Sequence, residues 1–418
     1  MQAPSPEKAE PVWLDRRSPP ALLTLVLVTG LAALNMNVIL PSLPKLATHF
    51  GAEYALVQLT VSGYLAATAA LQLLIGPLSD RFGRRPVILI SLAIFLAATL
   101  GCLFAPSFGA FLFFRLLQAS VASAIALSRA VVRDMVPSEQ AASMIGYVTM
   151  GMAVAPMIGP MIGGLLDEWF GWQSVFWMTL GCGVAVFALA WADLGETNLA
   201  PSTDFAAQFR ALPELARSRR FWGYSATAAF ASGAFFAFLG GGPWVAMHVL
   251  GMTSAELGLY FGLIALGYMI GNYGAARITV QVGMNRMMLL GSLIAVLSIA
   301  LAALAFAAGL GHPLGFFGAM FFLGFGNGLA LPSANAGMVS VRPHLAGSAS
   351  GLGGAMMIGG GAALSAIAGA LLGPGTGPWP PLIIMGLSVC GSVLSSLDVI
   401  RTARRRGDNP LGSVTRTS

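Results

Sequence analysis

The sequence predicts an all-α polytopic membrane protein, with twelve transmembrane helices in two pseudo-symmetric six-helix halves. Three observations predict it: a shortage of charge, a series of apolar runs long enough to cross a bilayer, and a one-sided distribution of arginine. Hydrophobic residues make up 56% of the 418 residues and charged residues 9%, against roughly 25% charged in a soluble domain. So little charge cannot cover a water-exposed surface, so most of the surface must face lipid. The 52 glycines fit this class, because small residues let membrane helices approach closely. A net charge of +6 would point to nucleic acid in a soluble chain. Here it belongs to basic loops beside membrane spans, so membrane lipid is the expected neighbour and nucleic acid is not.

A span needs about 20 mainly apolar residues. Runs of this kind fall at 20–43, 54–79, 86–105, 109–133, 141–166, 172–192, 222–247, 255–276, 285–309, 313–340, 345–372 and 379–400. The longest polar stretch, 193–221, separates the sixth from the seventh. The organisation is therefore an N-terminal tail over 1–19, a first half over 20–192, a central loop over 193–221, a second half over 222–400 and a C-terminal tail over 401–418. The first twenty residues mix both signs of charge and lack the basic start and cleavage site of a signal peptide, so they read as an uncleaved polar tail. Cys102, Cys182 and Cys390 lie far apart in apolar runs. They have no metal or redox spacing and read as small core residues.

With the N-terminus inside, Arg16, Arg17, Arg81, Arg84, Arg85, Arg129 and Arg133 of the first half fall on the cytoplasmic side. So do the arginines of the central loop, Arg277, Arg286, Arg342 and the group at 401–406. Lys45, Asp167, Glu168 and Glu256 fall on the other side. This asymmetry predicts both termini in the cytoplasm. The halves also echo each other: 82–86 reads FGRRP and 282–286 reads VGMNR at matching places in the topology, as parallel transporter repeats would.

The most specific string is GPLSDRFGRRP over 76–86. It makes a short turn full of opposite charges between spans 2 and 3. Gly83 suits unusual backbone angles, and Asp80 can face the positive end of another helix, span 11 near Gly347 being the candidate. The string resembles the signature of the loop between spans 2 and 3 in the major facilitator superfamily. That resemblance implies the major facilitator fold and a role in alternating access for Gly76, Asp80, Arg81, Gly83 and Arg84. In span 5, APMIGPMIGG over 155–164 places small residues at 155, 159 and 163, a close-packing pattern. It resembles the antiporter motif of the drug-export branch, with Ala155 for its first Gly, and so points to Gly159, Pro160 and Gly163. Span 4 carries Arg115 and Gln118. A charge inside a span is costly and functional by default. The pair resembles the RxxQG motif of the same exporters, with Ala119 for the Gly, which implies a proton-coupling role for Arg115. Span 1 reads LNMNVILPSLP over 34–44 and is similar to a string of the Bcr/CflA drug-resistance subfamily. Asn37 stands where that subfamily has an acidic residue.

Asn35, Asn37, Tyr64, Gln118, Phe238, Tyr268, Asn272 and Asn335 are the candidate substrate-binding residues, and Gln58, Gln72, Tyr273 and Asn327 could also line a cavity. Polar groups facing lipid are costly, and Met150, Met356 and Met357 would give adaptable walls. No acidic residue lies deep in a span. Asp80, Asp167 and Glu168, then His248 and His344, are left as proton carriers. No Ser-His-Asp set, metal spacing or phosphate loop is present, so no enzyme, no catalytic or metal residue and no cofactor is expected. The resemblance implies a monomer in a bacterial cytoplasmic membrane. Its partners would be protons and a small, partly apolar substrate, an amphenicol or bicyclomycin-like antibiotic for example. An exporter or facilitator of an endogenous metabolite in the same fold is the alternative, with a membrane sensor or lipid enzyme behind it.

Overall fold

The structure, a computed structural model, describes residues 12–136, 138–198, 212–342, 345–373 and 375–405. Within these, 138–143, 146, 149–157, 212, 280 and 346–348 are described by backbone alone. Among the described residues, eleven runs of helix are long and apolar enough to cross a membrane. We label them with one further helix in chain order: α1 Leu22–Phe50, α2 Tyr54–Phe82, α3 Arg84–Leu103, α4 Phe108–Met135, α5 Ser138–Phe170, α6 Trp172–Asp193 and α7 Arg219–Val249. The rest are α8 Ser254–Val282, α9 Met284–Ala307, α10 Pro313–Ser340, α11 Ala346–Ala370 and α12 Trp379–Arg405. The expected span 141–166 falls within α5, whose 33 residues are about 50 Å long at 1.5 Å per residue. No strand occurs among the described residues.

The packing pairs repeat with an offset of six. In the first half α1 packs on α5 and α6, α3 on α4 and α6, and α2 on α4; in the second half α7 packs on α11 and α12, α9 on α10 and α12, and α8 on α10. The halves meet where α5 packs on α8 and α2 packs on α11. The echo at 82–86 and 282–286 has a conformational counterpart. Gly83 has φ 93° and ψ 155°, and Gly283 has φ 90° and ψ 145°. Both turn one span into the next in a region that residues with a Cβ avoid.

An even number of spans brings both described ends of the chain to one end of the bundle. At the far end one apolar cluster runs across both halves, joining Leu40, Leu43 and Val57 to Phe238, Trp244, Leu257 and Phe261. At the termini-bearing end the apolar contacts divide. Leu25, Ile88, Leu127 and Val131 form one cluster, and Leu215, Phe221, Tyr224 and Val399 another. Among the described residues, then, the bundle is sealed at the far end and split at the other.

Two readings of the sequence are corrected in detail. Span 1 is one helix only to Asn37: Pro41 starts a tight turn, and a second helix runs from Leu43 to Phe50. Cys102 is buried, but Cys182 and Cys390 are exposed. An outward face of a span meets lipid, and a thiol is apolar enough to sit there. The part of the N-terminal segment that is described lies against the end of α6. The carboxylate of Asp193 accepts from the backbone N–H of Leu14 at 2.8 Å and of Ala21 at 2.9 Å, and from Thr24 Oγ1 at 2.5 Å. It thus caps the first turn of α1 with an anion.

Candidate functional site

The site is built around Arg115. It lies at the end of the Phe108–Leu117 helix of α4, where the chain tightens to a 3-10 turn over Gln118–Ala122. The side chain is 1% exposed, which excludes a snorkelling arginine at the interface. A buried guanidinium needs its donors met. Its Nη1 donates to Asn35 Oδ1 at 3.2 Å and to Gln118 Oε1 at 2.8 Å. Its Nη2 donates to the Asn35 carbonyl at 3.0 Å, and its Nε to the Thr60 carbonyl at 3.3 Å. The Tyr64 ring lies 4.4 Å from the guanidinium carbon, a cation–π contact in a dry setting.

A second layer fixes the first. Asn35 Nδ2 donates to Tyr64 Oη at 3.2 Å, and Gln118 Nε2 donates to Thr99 Oγ1 at 2.8 Å. Both amides therefore turn their oxygens to the arginine. The node draws together α1, α2, α3 and α4, and all these partners are neutral. Of the predicted substrate residues it gathers Asn35, Tyr64 and Gln118. Thr60 and Thr99 are additions that the sequence reading missed.

The other predicted substrate residues lie elsewhere. Asn37 is buried and donates to the Ala33 carbonyl of its own helix at 2.9 Å. Phe238 is packed among Phe261, Phe316 and Phe317 with ring centres 5.0–6.0 Å apart. Asn272 Nδ2 bonds the Tyr268 carbonyl one turn back at 2.8 Å. Asn335 is exposed. Tyr273 is 63% exposed, with Arg277 over its ring. Gln58 is buried at the far-end seal, where its Nε2 donates to Ser365 Oγ across the two halves at 2.9 Å. Met150, Gly347 and His344 lie outside the described side chains.

The turn over 76–86 is tied down by charge. Arg84 pairs with Asp80 at 2.6 Å and with Asp134 at 3.1 Å, and its Nη1 also meets Ser79 Oγ. Glu196, after α6, accepts from the backbone N–H groups of Arg84 at 2.9 Å and Arg85 at 3.1 Å. A carboxylate thus caps α3, whose first N–H groups have no partner within the helix. A Cβ on Gly83 would overlap that carboxylate. Asn198 Nδ2 holds the Asp80 carbonyl at 2.9 Å. Arg81 is exposed beside Phe82, and the Gly76 carbonyl accepts from Ser79 Oγ at 2.8 Å. Asp134 and Glu196 have no local sequence signature, since they reach this turn only through the fold.

The small residues of α5 form two seams. A Cβ on Gly163 would overlap the Val38 carbonyl oxygen of α1, and one on Gly159 would press on Leu34 at 3.3 Å. On the other side, a Cβ on Gly164 would overlap the Ser254 carbonyl, and one on Gly258 of α8 would overlap the carbonyl of Pro160. The side chains of Ala155 and Pro156 lie outside the described residues. One turn on, the Asp167 carboxylate is buried beside Lys45 of α1 at 2.9 Å.

The geometry has counterparts among known proteins. The sequence model described as Major Facilitator Superfamily matches residues 25–366. The chain is 32% identical over 321 residues to a chloramphenicol resistance protein of Pseudomonas aeruginosa, covering 76% of each. It is 26% identical over 381 residues to a bicyclomycin resistance protein homolog of Haemophilus influenzae, covering 90% of this chain and 94% of that one. In structure it is similar to a bacterial homolog of the human lysosomal transporter Spinster in an inward-facing, occupied conformation. The TM-score is 0.67 at 18% identity, over 92% of this chain and 96% of that one, a likeness of fold alone.

Proposed function

The chain belongs to the Major Facilitator Superfamily, among its transporters of the drug-efflux type, and on that premise we propose that it expels small, partly apolar compounds by proton antiport. The observation that supports the transport reading is one apolar cluster across both halves at the far end, against separate clusters among the described residues at the termini-bearing end. That arrangement offers access from one side at a time, which is what rocking of two repeats around a central site requires. The arginines concentrated at the termini-bearing end support a cytoplasmic position for that end by the positive-inside rule, and a compound would then load from inside. The substrate class follows the relatives, whose names point to chloramphenicol and bicyclomycin.

Proton coupling needs a group that changes charge. Asn37 cannot supply one, and the Arg115 node holds no carboxylate. Asp167 is the best placed: it is fully buried, beside Lys45, at the end that would face the proton supply. Release of Lys45 on protonation would loosen α1 from α5 at the Gly163 seam. Arg115 would then act as the fixed positive charge against which substrate and proton alternate.

The test is accumulation of chloramphenicol and bicyclomycin in cells stripped of their own exporters. Intact protein should lower accumulation, an uncoupler should abolish the effect, and Asp167→Asn should reduce it at least tenfold with normal membrane levels. Uncoupler-insensitive export would remove the antiport reading. No effect on either compound would turn the reading toward an endogenous metabolite.

A further inference from the structure

At the termini-bearing end of the first half, the chain before α1 folds into a hook that the transport reading does not use. The Asp15 N–H donates to the Val12 carbonyl at 3.2 Å, and the Ser18 N–H to the Asp15 carbonyl at 3.0 Å. Ser18 Oγ closes the hook. It accepts from the Val12 N–H at 3.0 Å, and its hydroxyl reaches the carbonyls of Val12 at 3.1 Å and Asp15 at 3.0 Å. The hook is seated on protein. Buried Asp193 holds the N–H groups of Leu14 and Ala21, and a Cβ on Gly195 would overlap the Ser18 carbonyl.

What the hook presents is apolar. Val12, Trp13 and Leu14 are consecutive and each at least half exposed, a run that a water-facing segment avoids unless it has a use. Leu14 has φ 60°, a left-handed backbone that a residue with a Cβ adopts at a cost. A glycine would bring its N–H to Asp193 without that strain. In water this leucine is disfavoured twice, in its backbone and in the side chain it turns outward. Against lipid the second term becomes a gain. Neighbours set the depth. Trp191, two residues before Asp193 at the end of α6, is exposed with Arg85 over its ring at 5.5 Å. A tryptophan and an arginine at a span end mark the level of the headgroups. Leu23, in the first turn of α1, is exposed at the same level. Arg16 and Arg17 follow the triplet and are exposed; their stems can lie along apolar surface while their heads stay in water. The apolar triplet, not a surplus of charge, carries the placement.

We propose that the hook lies in the headgroup layer of the bilayer at the termini-bearing end, with Val12, Trp13 and Leu14 against lipid. Its partner is the bilayer surface, to which it fastens the start of α1 and the end of α6.

The test uses the full chain with Cys102, Cys182 and Cys390 replaced by alanine, in nanodiscs of phosphatidylcholine and phosphatidylglycerol. A spin label on Val12→Cys leaves Trp13 and Leu14 in place. Its collision rates with oxygen, which concentrates in lipid, and with a water-soluble nickel chelate report its depth. Leu297→Cys, on the exposed side of α9, gives the lipid value, and Arg404→Cys, exposed at the end of α12, gives the water value. The Val12 label should fall between the two. Trp13→Ser with Leu14→Ser, both exposed and so of little effect on folding, should shift it to the Arg404 value. A Val12 label that already gives the water value with Trp13 and Leu14 intact would overturn the proposal. So would low collision with both probes, which would mean that protein, from this chain or a second copy, covers the hook in place of lipid.

Discussion

Removing Arg115 strands several acceptors at once: the side-chain oxygens of Asn35 and Gln118 and the carbonyls of Asn35 and Thr60. Hydrogen bonds between membrane helices average only about 0.6 kcal/mol, so Arg115→Ala should cost about 2 kcal/mol, plus the lost contact with Tyr64. Thermal unfolding of the purified protein reads that loss. Arg115→Lys separates charge from shape. It keeps the cation but loses the planar fork that reaches acceptors on three spans. We expect it to reach the membrane normally and to lower drug export at least tenfold; full export by this variant would reduce the residue's role to its charge alone. Arg115 and Gln118 were legible in the sequence because a charge and an amide inside an apolar run are expensive. Thr60 and Thr99 were not, since hydroxyls of this size sit in spans for many reasons and only the approach of α2 and α3 gives them a role. The same holds for Asn37, whose polarity singled it out, although its amide is satisfied one turn back in its own helix.

Between elements, close approach replaces hydrophobic driving force, because lipid is as apolar as leucine. Helix α5 shows the consequence. Gly163 brings it against α1, and Gly164 brings it against α8 of the other half. Gly163→Ala should force α1 and α5 apart, at about 1–3 kcal/mol for overpacking. It should depress transport more than Gly181→Ala, whose added methyl meets nothing within 4 Å on α6 and should stay within about 0.5 kcal/mol. Paired melting curves and accumulation assays check both, and equal behaviour of the two variants would sink the seam as a functional contact. The spacing of small residues at 155, 159 and 163 signalled close packing, but not against which helix, because spacing carries no partner. Glu196 illustrates the opposite limit. Its cap on α3 links a loop after α6 to a turn after α2, and nothing near residue 196 announces a partner more than a hundred positions away. Glu196→Gln keeps an oxygen for one of the two N–H groups, which use different carboxylate oxygens, and loses the charge. It should cost the charge effect of about 0.3–1 kcal/mol plus about 0.5–1.5 kcal/mol for the lost hydrogen bond, read as a drop in melting temperature that shrinks but persists at high salt.

For the whole molecule, apolar runs and one-sided arginines were enough to give twelve spans and two halves, since a span's length and the sign of its flanks are set by the bilayer rather than by neighbours. Which end is sealed is not written in that pattern. It depends on a small balance between two packings of the same residues. Gln58 sits where the balance can be tipped. Its side chain enters between α7 and α11, and its amide nitrogen is held by Ser365 of the opposite half. A Cβ on Gly369 would overlap its Cγ, and one on Gly240 would press on its amide at 2.9 Å. Its carbonyl oxygen is buried with no hydrogen-bond partner, so the seal already carries one unmet polar group, costing about 1–3 kcal/mol. Ser365→Ala leaves a second one in the sealed state alone, because opening the far end lets water reach the whole amide. The population should therefore shift toward far-end opening by roughly a factor of five or more, the equivalent of about 1 kcal/mol. Gln58→Leu removes the unmet oxygen with a side chain of similar size, and Ser365, which loses its partner, can bond back to its own helix, so the population should shift the other way. Spin labels at Glu53 and Leu310, both exposed near the far end, in a background with Cys102, Cys182 and Cys390 replaced, would report the distance between the halves. Longer distances in Ser365→Ala and shorter or unchanged ones in Gln58→Leu are the expected pair. The same shift in both variants would mean that the seal rests on the apolar contacts of Leu40, Val57 and Phe238 and that the Gln58–Ser365 bond has no part in setting it.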